Sequence, residues 1–309
     1  MVAHSRNVPL GVRRKLRREV GFVCPVPGCD SPYLTWHHFD PPWREGHNHD
    51  PSGMIALCLD HHKRADAGAF TIEQLREMKS HAPDDPIRGV FDWRREQLVV
   101  RAGGTTAISC RVILQFGERD AIWLSSDDEG HQLLNLDVWG SDGSLLFSMR
   151  DNDWVTVADL DDLDCPPSGK SLVLRATSLG VELSLQFSAA AREDVRQRFH
   201  RIGLETAQEG ARHLEAVAQR AEQAGAPRQF VETLRRQSDP DAEAAEFVEH
   251  VMAAIARETD ADEIALCDLT AEFVFPVRIH LTANKLILPG NNTIVGGLMA
   301  GNDVGIRVG

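Results

Sequence analysis

Long apolar runs are missing from this sequence. A helix that crosses a bilayer needs about 18 or more consecutive apolar residues, and no run in the 309-residue chain approaches that length. The N-terminal stretch MVAHSRNVPLGVRRKLRREVGF carries charge but lacks the apolar segment of a secretory signal. These absences predict a soluble cytoplasmic protein with no membrane partner.

The sequence also has no excess of basic residues, because its net charge is −13. The acidity is uneven: residues 1–100 hold 14 of the 33 basic and 13 of the 46 acidic residues, so their net charge is +1 and the remainder carries −14. The N-terminal third opens with the basic run RRKLRR at 13–18. Arg13, Arg14 and Lys15 are therefore candidate phosphate contacts, and a solvated helix face is an equally good interpretation.

The C-terminal two-thirds lack recognisable chemistry. They contain no Walker-type loop, no Ser/His/Asp arrangement and no Cys-x-x-Cys, and their histidines are isolated. From about residue 97, short alternating segments separated by Gly, Asp and Ser predict antiparallel strands in a sandwich or barrel-like sheet. Residues 189–257 have helical periodicity, and the tail returns to strand patterns. The chain is thus predicted to be α+β, with domains 1–82 and 98–309 joined by a linker, 83–97.

The six cysteines fall into two groups, and without an export signal they are not expected to form disulfides. Cys110, Cys165 and Cys267 are scattered and are predicted to be buried. The others form the pairs Cys24-x4-Cys29 and Cys58-x2-His61, a spacing typical of zinc knuckles. Four protein ligands leave no open position, so the predicted Zn²⁺ is structural. His62 is an alternative fourth ligand to His61.

These pairs belong to a longer pattern, made of the pieces CPVPGC, WHHFDPP, GHNHDPSGMIALC and CLDHH. The pattern resembles the HNH endonucleases, which have a ββα-metal fold and zinc knuckles. The resemblance extends from about residue 15 to residue 80, and it implies that the N-terminal domain is a small nuclease whose fold is stabilised by bound zinc. The tripeptide His-Asn-His at 47–49 is not the family motif, because the motif residues lie on either side of it.

The resemblance implies specific roles and a DNA substrate. His38 matches the general base that takes a proton from water, and His37 and His62 match the ligands of a catalytic Mg²⁺ or Mn²⁺. Lys63 and Arg64 join the candidate phosphate contacts. In the alternative interpretation, His37 and His38 are surface histidines or one of them is a zinc ligand. Asp40 and Asp60 either orient an imidazole or belong to turns.

The sequence departs from the family at one position. The family has an Asn five residues before the second Cys pair, where this chain has Gly53. Either Asn48 or His49 orients the site instead, or the loop is held by its backbone. An alternative function follows: a catalytically weak zinc-binding module whose C-terminal domain binds a protein or ligand. That acidic domain is expected to restrain or target the nuclease or to form oligomers, and family-level analogy suggests a bacterial antiphage effector.

Overall fold

A small N-terminal group of helices and a hairpin precedes a much larger β-rich region. The structure is a computed structural model that describes residues 6–80, 86–157, 160–236, 239–273, 278–282, 285–287, 293–295, 297–301 and 303–308. The N-terminal elements are α1 (Leu10–Glu19), β1 (Leu34–His38), α2 (Trp43–Gly46), β2 (Met54–Cys58), α3 (Leu59–Asp66) and α4 (Ile72–Ser80). Strands β1 and β2 form an antiparallel hairpin in which His37 pairs with Ile55.

Local sequence explains these N-terminal elements. The segment of α1 is rich in Arg, Lys and Leu, which are good helix formers. Helix α4 begins after Thr71, whose Oγ1 accepts from the Gln74 N–H while Gln74 Oε1 accepts from the Thr71 N–H. This reciprocal pair is a capping box. All five residues of β2 are buried because α1, α3 and α4 pack against it.

The larger region is built from two extended sheets. Its strands are β3 (Ile87–Val90), β4 (Leu98–Ala102), β5 (Thr105–Ile108), β6 (Val112–Phe116), β7 (Arg119–Ser126), β8 (Gln132–Trp139), β9 (Leu145–Arg150), β10 (Asp153–Thr156), β11 (Asp162–Asp164), β12 (Ser171–Ala176), β13 (Val181–Ala191), β14 (Glu263–Phe273), β15 (Ile279–Thr282), β16 (Lys285–Ile287), β17 (Thr293–Val295), β18 (Gly297–Ala300) and β19 (Val304–Val308). One sheet has the order β19-β6-β7-β8-β9-β10-β3. The other runs from β11 through β12, β13, β14, β15 and β16 to β17, with β4, β5 and β18 branching from β14.

The two sheets share one apolar core, to which Leu114 and Phe147 contribute from one sheet and Leu174 and Leu185 from the other. Three helices lie between β13 and β14 in the chain: α5 (Arg192–Gln223), α6 (Arg228–Arg235) and α7 (Pro240–Glu258). A separate apolar cluster joins α5 and α7 to β4, β5 and β14. Among the described residues, none of the helices has the length and apolar character that a bilayer crossing requires.

The predicted α+β class is confirmed, and most predicted strands and helices are present. Two of these strands lie close together in the chain: β5 ends at Ile108, Ser109 has a positive φ of 55°, and β6 begins at Val112. Among the strands that the structure describes, the expected antiparallel pairing holds except for the parallel pairs β4–β14, β5–β18 and β6–β19.

The predicted linker, 83–97, is partly folded. Its residues 83–85 lie outside the described residues, whereas residues 87–90 form β3 at the edge of a sheet and pair with β10. Gln97 is buried immediately before β4. Turn-forming Asp and Pro residues predicted a break here, but the later part of the segment also carries enough apolar residues to join the sheet. The division of the chain into two domains stays a prediction.

Candidate metal centres and active site

Four predicted ligands converge at one end of the hairpin. Cys24 and Cys29 lie on a turn after α1, Cys58 ends β2, and His61 lies in the first turn of α3. The Cys29 and Cys58 sulfurs are 3.6 Å apart, and His61 Nδ1 lies 3.5 Å from Cys24 Sγ and 3.2 Å from Cys58 Sγ. The four ligand atoms all lie within 4.8 Å of one another.

The spacing of these four atoms suits a metal ion. Tetrahedral zinc with ordinary bond lengths places its sulfur ligands about 3.8 Å apart and sulfur and nitrogen about 3.5 Å apart. Burial raises the pKa of the Cys24 thiol to about 12, and it also raises the pKa of Cys29. A bound ion would therefore displace thiol protons. This cluster can hold a metal ion, and its geometry is compatible with zinc.

The structure separates the adjacent histidines His61 and His62. His61 faces the cysteines, whereas His62 faces a different side of α3, since successive helix residues point about 100° apart. His62 belongs to a second group with His37 and Asp66, whose ligand atoms also lie within 4.8 Å of one another. His37 Nδ1 is 3.1 Å from Asp66 Oδ1, and His62 Nε2 is 3.7 Å from Asp66 Oδ2.

Asp66 also belongs to the second group, and the sequence did not predict it. It lies one helical turn beyond His62, at the i+4 position, so the two side chains share one face of α3. The i, i+4 spacing from His62 is the sequence feature that could have identified Asp66 as a ligand candidate. The carboxylate is the open side of the group, with 63% of its side chain exposed, whereas His37 is buried at the end of β1.

Thr35 contacts the His62 ring. The Thr35 Oγ1 lies 2.9 Å from the Leu57 carbonyl oxygen, to which it can donate, and 2.8 Å from His62 Nδ1. When the hydroxyl donates to Leu57 it accepts in the second contact, and His62 carries its proton on Nδ1. The Nε2 lone pair then faces Asp66, as metal ligation requires.

Both imidazoles of this group favour their neutral form. Burial lowers the pKa of His37, and the nearby His62 lowers it further, against the opposing effect of Asp66. Burial likewise lowers the pKa of His62, which Asp66 raises and Arg6 lowers. Neutral imidazole is the ligating form. Two imidazoles and one carboxylate make a donor set suited to a divalent transition ion.

His38 lies next to this group but contacts different side chains. Its Nε2 is 3.1 Å from His49 Nδ1, and its ring lies 5.1 Å from the ring of Trp43. Burial lowers the pKa of His38 to about 4, and the charges of His49, His37 and Arg6 contribute in the same direction. At neutral pH the ring is therefore uncharged and can accept a proton.

The loop between the strands explains why position 53 is a glycine. A Cβ atom on Gly53 would lie 1.8 Å from the Asp40 carbonyl oxygen, so no side chain fits there. Instead the Gly53 carbonyl accepts from the Phe39 and Asp40 N–H groups, at 2.9 and 3.2 Å. Lys79 adds contacts to the carbonyls of Pro51 and Met54. The loop is thus held through its backbone, one of the three predicted alternatives.

Most of the candidate phosphate contacts are partly or fully exposed. Lys63 and Arg64 are exposed on α3, and the Arg64 guanidinium lies 5.5 Å from the ring of Phe70. Lys15 is exposed beside Glu19. Arg14 lies 3.2 Å from Asp162, and Arg13 is half-buried. The basic run is therefore not simply a solvated helix face.

The basic run contacts β11 of the larger region. Arg17 is 1% exposed and forms two hydrogen bonds to the buried Asp162, from Nε and Nη2, each 2.9 Å long. Arg17 Nη1 lies 3.1 Å from Asp164, and the exposed Arg18 donates to the Asp161 carbonyl. Asp161, Asp162 and Asp164 therefore pair with arginines of α1.

The remaining predicted residues take ordinary structural places. Asp40 pairs with Arg76 rather than with an imidazole, and Asp60 is exposed in the first turn of α3. Cys110, Cys165 and Cys267 are all buried, as predicted.

No protein-family model matches the chain, and no curated protein or solved structure is significantly similar to it. The likeness to HNH endonucleases therefore stays a prediction that rests on the residues described above.

Proposed function

We propose that the protein is a metal-dependent endonuclease of the HNH type that hydrolyses DNA phosphodiester bonds. The observation that carries the proposal is the group His37, His62 and Asp66, with His38 beside it on the same hairpin. Three ligand atoms converge without surrounding the space between them, and a neutral imidazole lies next to them. Phosphodiester hydrolysis needs this combination of an ion with open positions and a nearby base.

In this proposal the side chains have separate tasks. His37, His62 and Asp66 hold one divalent ion, which supplies positive charge for the phosphate and for the leaving 3′-oxygen. His38 accepts the proton of the attacking water. Thr35 keeps the His62 lone pair directed at the ion. Two imidazole ligands favour Mn²⁺ or another transition ion over Mg²⁺, which prefers oxygen ligands.

The Cys24, Cys29, Cys58 and His61 cluster has a structural role in this proposal. Bound Zn²⁺ would join the turn after α1 to the start of α3, and it would thereby hold β2 and α3 in place. Since α3 also carries His62 and Asp66, an ion held by the cysteine cluster would help to position the catalytic ligands. One tightly bound zinc per chain is expected from elemental analysis of protein purified without chelators.

The DNA backbone would be contacted by cations near the group. Arg6 is a candidate because its charge lowers the pKa of both His38 and His62. Lys63 and Arg64 are exposed on α3, which also carries two of the ligands. The acidic larger region is a poor electrostatic match for DNA. We assign to it a protein-binding, ligand-sensing or oligomerising role that restrains or targets the nuclease, in line with cytoplasmic antiphage defence.

A second candidate function is supported by Gly53, which stands where the family has its Asn. In that case the zinc fold is a weak nuclease or none, and the larger region carries a binding function. The two candidates differ in whether His38 is needed for any activity.

Plasmid cleavage with Mn²⁺, Mg²⁺ or Ni²⁺ tests the proposal, using the full chain, His38→Ala and the control His200→Ala. His200 is an exposed histidine on α5, far along the chain from the site. We expect His38→Ala to lose about 100-fold or more of the rate, as for a general base, and His200→Ala to cut normally. Wild-type protein that cuts no better than His38→Ala with every ion would overturn the enzyme proposal.

A further inference from the structure

The loop between β1 and β2 places a second imidazole against the proposed base. His49 Nδ1 lies 3.1 Å from His38 Nε2, within hydrogen-bonding distance, and the ring centroids are 5.3 Å apart. The His49 ring also stacks on Trp43, with centroids 4.8 Å apart and planes 21° apart. Because both histidines contact the same indole, their relative orientation is fixed by packing as well as by the hydrogen bond.

The loop backbone on both sides of His49 is anchored. Asn48 Oδ1 accepts from the Asp50 N–H at 3.1 Å, and Asp50 Oδ1 accepts from the Ser52 N–H at 3.0 Å. Asn48 also lies 3.5 Å from the Gly46 carbonyl. Asn48 therefore supports the loop locally, and His49 is the residue of the pair that reaches His38.

We propose that His49 is a positioning residue for His38. His49 Nδ1 accepts a hydrogen bond from His38 Nε2–H, which leaves His38 Nδ1 as the nitrogen that takes the proton of the attacking water. The inference rests on the proposed nuclease function.

Substitutions at His49 separate positioning from simple packing. Asn places a polar atom near the position of His Nδ1, whereas Gln places its amide one bond further out, and Ala has no polar atom. We expect His49→Ala and His49→Gln to lower kcat about 10-fold to 100-fold with little change in KM, which is a part of the full general-base effect. His49→Asn should recover most of the rate.

Metal affinity and His38→Ala distinguish the two proposals. His49 is not a ligand, so Mn²⁺ affinity measured by calorimetry should be unchanged in all three variants. If His49→Ala cuts as fast as wild type while His38→Ala is inactive, the positioning role is wrong and the nuclease proposal stands. If His49→Gln recovers the rate as well as His49→Asn, the geometric basis of the inference is also wrong.

A spectroscopic measurement tests the hydrogen bond without relying on activity. In full-length protein with ¹⁵N-labelled histidine, nitrogen shifts distinguish a ring protonated at Nε2 from one protonated at Nδ1. We expect His38 as the fixed Nε2–H tautomer in wild type and His49→Asn, and as a tautomer mixture in His49→Ala. Protonation of wild-type His38 at Nδ1 would overturn the inference, because that nitrogen could not then act as the base.

Discussion

The two metal-ligand groups of the hairpin differ in how completely they enclose their centre. The Cys24, Cys29, Cys58 and His61 cluster has four donors, enough to complete a zinc tetrahedron. The His37, His62 and Asp66 group has three, one of them a largely exposed carboxylate. Adjacent residues of α3 serve the two groups. The closed group suits a structural ion and the open one a reactive ion, so one short helix can couple folding to chemistry.

The contact of Arg17 with Asp162 is a third polar cluster, and it is closed without a metal. Both side chains are almost fully buried, and Arg14 and Arg175 also lie near the Asp162 carboxylate. Like the cysteine cluster, it joins segments that are distant in sequence. The comparison predicts that losing a closed cluster harms folding, whereas losing the open group harms only ion binding and activity.

The largest effect is expected from Cys58→Ser. Structural zinc contributes about 10 kcal/mol or more to the folding of small zinc domains, so the variant should lose its zinc and the fold of residues 6–80. Elemental analysis and limited proteolysis measure both. The control is Cys267→Ala, which removes a buried thiol outside both groups and should cost about 1 kcal/mol with zinc retained. Normal zinc content and protease resistance in Cys58→Ser would contradict the assignment.

A smaller but still large loss of stability is expected from Asp162→Ala. Removing one partner of a buried ion pair leaves the other charge uncompensated and costs about 3–5 kcal/mol. Denaturant unfolding measures the free energy. Glu249→Gln is the matched control, since its pair with Arg196 is exposed and should be worth less than about 1 kcal/mol. If the two variants lost equal free energy of unfolding, burial would not make the Arg17–Asp162 pair more stabilising than the exposed pair.

Asp66→Ala should leave the fold intact and remove one ligand of the open group. We expect Mn²⁺ affinity to fall by about 100-fold or more, beyond the effect of losing a residue that only orients a ligand, with zinc content unchanged. Asp60→Ala on the same helix removes an exposed carboxylate outside both groups and serves as the control. Titration calorimetry gives the affinities, and equal affinities in the two variants would remove Asp66 from the site.

The smallest effect is expected from Thr35→Val, which keeps the shape of the side chain but removes the hydroxyl. His62 Nδ1 then loses its hydrogen-bond partner at 2.8 Å. Loss of such an orienting partner typically lowers metal affinity 10-fold to 100-fold. Thr35→Ser retains the hydroxyl and should bind Mn²⁺ nearly as wild type does. Similar weakening in both variants would indicate a packing role for Thr35 instead.

Local patterns predicted much of this molecule from its sequence. Knuckle spacing identified Cys24, Cys29, Cys58 and His61, because ligands on two tight turns are fixed by short-range geometry. Local features also account for α1 and α4, through good helix formers in α1 and the cap at Thr71. The structure was needed to choose between His61 and His62, because the sequence alone does not show which side of α3 faces the cysteines.

Long-range contacts could not be predicted in the same way. The parallel pairing of β4 with β14 brings Arg101 to Asp268, 167 positions later, and no local periodicity encodes that partner. The same limit applies to the basic run. Arg17 and Arg18 are adjacent and chemically identical, but only the first is buried, because an aspartate on β11 meets it. Charge patterning alone therefore predicted that the basic run would contact solvent or phosphate.

Arg17 has a consequence for how the N-terminal region with its two ligand groups can be moved between proteins. Alongside its pair with Asp162, Phe22 packs into the core of the two large sheets, and the Tyr33 hydroxyl contacts Val90 on β3. A fusion or a recombination event that cut the chain after residue 82 would carry away a buried guanidinium and an apolar ring without the surfaces that receive them. A segment that keeps the Arg17 and Tyr33 contacts must extend beyond residue 82 to β3 and β11, so it is longer than the metal-ligand motif.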